Sequence, residues 1–176
     1  MSVITNIPKI KNPLVRKVRE QLEHRAMWLA LLCDEAEAKG LDYNEFGRSS
    51  TFACGCFQGK ILSEQDSDSD KDCDSAAQLA SFKTLKKNLF SKPAQWMFEM
   101  DIKEVADDHL SIDFHYCPLV KAWQKMGYSD EKIAKLCDTA MCGDRGIASQ
   151  FGGQLNLEKV IAKGDPICQI RFRKTK

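Results

Sequence analysis

No Cys-x-x-Cys pair occurs in this chain, although it carries eight cysteines. The closest spacings are Cys54-x-Cys56 and Cys137-x4-Cys142, neither of which is a zinc-finger spacing, so a structural zinc site has little support. Histidine is scarce, with three in 176 residues, and each has to be weighed alone. Charge of one sign is also missing: 26 basic and 25 acidic residues leave +1, which excludes an overall field favouring nucleic acid or an anionic membrane. The longest apolar run, "AMWLALLC" from Ala26 to Cys33, is far too short to span a bilayer. The opening "MSVITNIPKIKNP" lacks the apolar core and small-residue cleavage site of a signal peptide. These absences lead to the expectation of a cytoplasmic chain with reduced thiols and neither a nucleic-acid nor a membrane partner.

The composition supports one core. At 43% hydrophobic residues, residues 1–176 are expected to form a single domain. Residues 1–63 supply N-terminal helices, 64–74 an acidic linker, and 75–176 a further helix and the sheet-and-helix core.

Asn12 is placed to cap a helix with Pro13 in its first turn, and Leu14, Val18, Leu22, Ala26, Leu29, Leu32 and Ala36 recur at helical spacing up to Gly40. Asp42 and Glu45 resemble a capping box for a second helix, with Phe46, Ala53 and Phe57 as its apolar positions. "EQDSDSDKDCD" from Glu64 to Asp74 reads as a surface linker. Asp66, Asp68 and Asp70 match the first calcium-loop positions, but Lys71 replaces the required glycine and Ala77 the closing glutamate. Leu79, Phe82, Leu85 and Leu89 predict a third helix ending near Pro93.

The period then changes to two. Trp96, Phe98, Met100 and Ile102 alternate with polar or flexible residues, as do Leu110, Ile112, Phe114 and Tyr116 after an Asp107-Asp108 turn. This predicts a hairpin. A second is expected in "QLNLEKVIAKGDPICQIRFR", with its turn at Lys163 to Pro166. Between them lie a short helix from Pro118 to Met126 and a longer one from about Asp130 to Phe151, capped by Ser129. The fold class is α+β: an antiparallel sheet of about four strands in two hairpins, covered by helices, with an N-terminal helical section.

Strand parity places Asp113, His115 and Cys117 opposite Ile112, Phe114 and Tyr116. Pro118 makes Cys117 the expected N-cap of the next helix, where the helix dipole and a nearby His115 would favour a thiolate. The alternative is a small residue at a strand-to-helix corner. Cys137 and Asp144 are seven apart, so they fall within about 20° on the apolar stripe of the long helix. A carboxylate there implies a pocket unless Gly143 and Gly146 turn it into solvent. Cys33 and Cys168 read as core, whereas Cys54, Cys56 and Cys73 have no assigned role. His24 and His109 have no evident partner in the sequence.

Three segments then carry a resemblance. "HYCPLVKAWQKMG", "LCDTAMCGDRGIASQFG" and "IAKGDPICQIRF" resemble, in order and spacing, the C-terminal half of the L-2-amino-thiazoline-4-carboxylic acid hydrolase family. That family has a Cys-Pro-Leu segment, a Leu-Cys…Gly-Asp helix and a final Gly-Asp-x-x-Cys strand. The resemblance covers roughly Phe98 to Lys174 well, and the N-terminal helices only in arrangement. It implies hydrolysis of a carbon–nitrogen bond in a cyclic amidine, opening a thiazoline to an N-carbamoyl amino acid. It also implies kinship with small-ligand domains of the 4-vinyl-reductase type, which bind ligands or metal without turnover.

Two functions follow. In the first, a hydrolase takes a small-molecule substrate: Cys117 attacks or holds a metal, His115 shuttles a proton, and Asp144 orients the histidine or binds the amidinium. Asp113, Cys137 and Met141 are the further candidates for substrate contact. In the second, a non-catalytic sensor binds a small ligand or a metal. Cys117, His115, Cys137 and Asp144 would be the ligands of a divalent metal such as zinc. A homo-oligomer is compatible with either function.

Overall fold

The computed structural model describes residues 2–65 and 80–175. The Asp66, Asp68 and Asp70 set, Cys73, Leu79 and most of the expected linker lie outside the described residues. Helix α1 (Pro13–Ala38) starts as its sequence predicts, with the Asn12 side chain accepting the N–H groups of Leu14 at 2.9 Å and Val15 at 3.2 Å. Its buried face is different from the expected one. Val15, Arg19, Ala26, Ala30 and Cys33 point inward, while Leu14, Val18 and Leu32 are exposed and Leu22 and Leu29 half-buried. The cause is the neighbour: helix α5 (Pro118–Lys125) packs on α1, and its buried Trp123 donates to the Ala26 carbonyl at 3.0 Å. A bulky indole leaves room for alanines, not leucines.

Helix α2 (Tyr43–Glu64) runs unbroken through its glycines because they are its contact surface. It lies against helix α6 (Asp130–Gln150). A Cβ at Gly55 would sit 1.9 Å from the Gly143 carbonyl oxygen, and one at Gly146 would sit 2.3 Å from the Phe52 oxygen. The two backbones therefore touch. The apolar positions expected to face the core, Phe46, Ala53 and Phe57, are exposed instead.

Helix α3 (Phe82–Asn88) is capped by Ser81, whose side chain accepts the Lys83 N–H at 3.0 Å. The first hairpin begins later than its alternation predicts. Trp96 and Phe98 belong to helix α4 (Lys92–Phe98), where Pro93 sits in the first turn, and the strand starts only after Glu99 reverses the chain at φ 52°. Strands β1 (Met100–Val105), β2 (His109–Phe114), β3 (Gly153–Leu157) and β4 (Cys168–Lys174) form an antiparallel sheet in the order β1-β2-β4-β3. Both hairpins pair as expected, but a loop with a 3-10 turn at Ile161–Lys163 joins β3 to β4 in place of a tight turn.

One sheet face is the core. Leu110, Ile112 and Phe172 are fully or almost fully buried, and Phe172 packs on Phe82 and Phe90 with ring centroids 5.8 and 5.9 Å apart. The other face is ionic. Arg171 reaches Asp113 at 2.8 Å, and Lys103 lies 3.9 Å from the same carboxylate.

The glycine contact yields the first testable expectation. Gly55→Ala should destabilise the protein by roughly 3 kcal/mol or more, because the methyl group meets backbone that cannot rotate away. Gly143→Ala should be neutral or stabilise by up to ~1 kcal/mol through helix propensity, since its Cβ would meet Thr51 Cγ2 at 3.5 Å and the Thr51 carbonyl oxygen at 3.6 Å, both ordinary contacts. Denaturant unfolding of the two variants checks the contrast.

Candidate functional site

Cys117 sits where β2 gives way to α5, in extended conformation and directly before Pro118. Its backbone is clamped on both sides by Asn6. The Asn6 amide donates to the Cys117 carbonyl at 2.8 Å, and the Cys117 N–H donates to Asn6 Oδ1 at 2.9 Å. Asn6 is buried, and the segment around it is tied to α5 by Gln124, which donates to the Ile4 carbonyl at 3.1 Å. Nothing in the sequence marks Asn6, because a single asparagine before a helix has many uses.

The helix N-terminus does not make a thiolate. Burial pushes the Cys117 thiol up to about 11, although the Leu119 and Val120 N–H groups pull the other way, and nearby Asp144 raises it further. No side-chain capping hydrogen bond closes. Desolvation thus outweighs the dipole, and the expectation of an activated sulfur is corrected.

His115 is turned elsewhere. Its Nε2 lies 3.0 Å from Asp101 on the ionic face of the sheet, the face that carries the Asp113–Arg171 pair. Asp101 lines an open groove with Lys86, Lys92 and Lys103. The structure therefore places His115 and Asp113 together, but on partners other than Cys117 and Asp144. The side chain of His24 meets Trp28 at 3.1 Å and that of His109 meets Asp108 at 2.8 Å, partners that sequence reading did not assign.

Asp144, Cys137 and Cys117 are near enough to act on one another electrostatically. Buried Cys137 has its thiol raised well above the ordinary value by burial first, then by Cys117, Cys168 and Asp144. Burial raises Cys168 to about 12, and its sulfur accepts the Ile161 N–H at 3.2 Å. Burial likewise raises the Asp144 carboxyl to about 6, against the pull of Arg25 and Arg145. Both Asp144 and Cys117 nevertheless keep part of their solvent-accessible surface. Each is thus half-buried with its charged form disfavoured, the combination that marks a candidate site. Met141, half-buried, precedes Asp144 by one turn of α6. Arg25, on the exposed side of α1, is the group that sequence reading missed.

The Gly-Asp-x-x-Cys segment has a structural explanation. Gly164 takes φ 94° at the end of the 3-10 turn, and Asp165 accepts the Val160 N–H at 2.8 Å. These contacts hold the loop that brings Cys168 to the cluster. Among the described residues, no three His, Cys, Asp or Glu side chains are gathered so as to hold a metal ion. The set Cys117, His115, Cys137 and Asp144 does not fit one, since His115 is committed to Asp101.

A family model described as L-2-amino-thiazoline-4-carboxylic acid hydrolase matches residues 19–172. The match extends through α1 and α2, well beyond the C-terminal segments that carry the resemblance in sequence. No curated protein matches the chain. Among solved structures, trafficking protein particle complex subunit 3 from Naegleria fowleri, covalently bound to palmitic acid, is similar with a TM-score of 0.53 and 16% identity, over 88% of this chain and 95% of that chain. That likeness is one of fold. No helix among the described residues is long and apolar enough to cross a membrane.

The raised Asp144 carboxyl has a measurable consequence. Between an ordinary aspartate value of 3.8 and about 6, the folded chain holds a proton that the unfolded chain has released. Stability from this group is full below that window and falls as pH rises through it. Asp144→Asn should remove the slope and stabilise the protein at pH 7 by on the order of 1–2 kcal/mol. Unfolding midpoints measured from pH 4 to 7.5 check the sign.

Proposed function

The chain belongs to the L-2-amino-thiazoline-4-carboxylic acid hydrolase family, and from that premise we propose that Asp144 opens into a recess that binds a small cyclic amidine of the thiazoline type and adds water to it. The observation that carries this reading is a half-buried carboxylate whose charge burial disfavours, on the same helix as Cys137 and close enough to act on the Cys117 and Cys137 thiols. An amidinium is the complementary ligand: planar, delocalised and able to hydrogen-bond both oxygens of one carboxylate.

The chemistry requires one water. Its oxygen joins the amidine carbon and becomes the carbamoyl oxygen; one proton ends on the ring nitrogen and the other on the departing sulfur. An N-carbamoyl product keeps both nitrogens on that carbon, so the bond that breaks is carbon–sulfur and not the carbon–nitrogen bond expected from the resemblance. Breaking the ring carbon–nitrogen bond would give the S-carbamoyl isomer, with no free thiol. Asp144, near 6, is poised to accept a proton from water and return it to the leaving group. Cys117, held neutral near 11, acts as a thiol donor in the recess wall rather than as a free nucleophile.

A second reading rests on the same raised thiols, because a recess without a ready nucleophile also suits a module that binds a cyclic amidine without turning it over. Incubation with 2-amino-thiazoline-4-carboxylate separates the two. Hydrolysis should raise the mass by one water and release a thiol, with kcat/KM rising through an apparent pKa near that of Asp144. Asp144→Ala should lower kcat/KM by about 100-fold or more, and Cys117→Ser by less. Calorimetric binding without turnover selects the binding module; absence of both binding and turnover removes the proposal.

A further inference from the structure

Helix α1 wears its large side chains on the outside. Leu14, Val18, Trp28 and Leu32 are 73, 38, 61 and 57% exposed, while alanines, Cys33 and the ionic Arg19 and Glu23 fill its buried face. Together with exposed Gln21 and Arg25, these positions follow the four-then-three spacing of a coiled-coil seam: 14, 18, 21, 25, 28, 32. Trp28 is held in place, since its indole N–H donates to His24 at 3.1 Å. Helix α2, which packs on α1, separately leaves Phe46 and Phe57 exposed on its side away from the glycine contact. The seam of α1 alone leaves roughly several hundred Å² of apolar surface in water, a patch of the size that marks an interaction site.

We propose that this surface is covered by a second copy of the chain, with the two α1 helices antiparallel about a two-fold axis. The seam is self-complementary in that arrangement. Its layers place Leu14 against Leu32 of the second copy, Val18 against Trp28 and Gln21 against Arg25, each contact occurring twice as an isologous interface requires. No layer sets Arg25 against itself. The charges at the two ends of the seam agree: the same register sets Lys11, just before α1, against Glu35 of the second copy, although Glu35 also pairs with Lys39 of its own chain at 2.8 Å. Antiparallel helices bring these unlike groups together, whereas parallel helices would oppose like with like.

Sedimentation or light scattering from low to high micromolar concentration tests the proposal. A reversible dimer is expected, and Trp28→Glu or Leu32→Glu should weaken it at least tenfold without changing the circular dichroism spectrum, because both side chains face solvent in the single chain. The register gives an opposed pair: Gln21→Glu should tighten the dimer several-fold at low salt by facing Arg25, and Gln21→Arg should weaken it. A monomer throughout, a dimer indifferent to both glutamate variants, or equal effects of the two Gln21 variants would overturn it. So would a monomer that binds phosphatidylcholine–phosphatidylserine vesicles through Trp28, which would assign the surface to lipid.

Discussion

The guanidinium of Arg19 joins parts of the chain that would otherwise have no reason to meet. It is 5% exposed and its partner Glu99 7%, at 3.0 Å. It also donates to the carbonyls of Ile10, Trp96 and Met97 and lies 4.4 Å from the centroid of the Tyr116 ring. Burying an ion pair is unfavourable unless its hydrogen bonds are met within the protein. Here the same Glu99 oxygen also accepts the N–H groups of Lys9 and Ile10, at 2.7 and 2.8 Å. One buried pair therefore fixes the N-terminal segment, the end of α4, the start of β1 and the residue before Cys117. It also explains a glutamate at φ 52°, a conformation usually left to glycine: its carboxylate is held from three directions.

From this junction the order of construction runs to the recess. The anchored N-terminal segment carries Asn6, whose two hydrogen bonds fix the Cys117 backbone. On the other wall, α6 is fixed by its backbone contact with α2 through Gly143 and Gly146. Asp144 lies about 100° around the helix from Gly143, so the glycine contact on one side sets the direction of the carboxylate on the other. Small residues inside α1 and α2 and large ones outside are one fact, since close approach of backbones requires the first and leaves the second uncovered.

Sequence patterning made the elements and their order legible because caps, prolines and alternation are local signals. Asn12, Ser129 and Pro118 start helices where they predict, and β4 alternates as written, whereas β2 is buried on both faces, Leu110, Ile112 and Phe114 on the core and Ser111 and Asp113 under ionic partners. Facing was less legible. Helical periodicity marks a stripe but not which neighbour it meets, so Phe46 and Phe57 read as core although glycines make the contact. Trp96 and Phe98 read as strand because alternation over two residues cannot be told from a short helix closed by Pro93 and Glu99. Of the site, the pairing of Cys137 with Asp144 followed from helix geometry. The separation of His115 from Cys117 did not, because a strand's parity ends with the strand, at Phe114.

The cluster around Asp144 has no cation at its centre. Asp144 makes Cys117 and Cys137 harder to ionise, and Cys117 does the same to Cys137 and Cys168, while Arg25 and Arg145 act on Asp144 and Lys163 on Cys137 in the opposite sense. A positive ligand entering there would lower all four values together, so that binding and deprotonation favour each other. A metal ion would need three or more ligands drawn to one point, which the described residues do not supply. A planar amidinium asks less of the geometry. One carboxylate can satisfy its charge and two of its N–H groups, and thiols can line its faces without competing for the proton. On the proposed reading the site would discriminate by the shape of the charge rather than by its sign alone, a single carboxylate selecting a delocalised organic cation over a point charge.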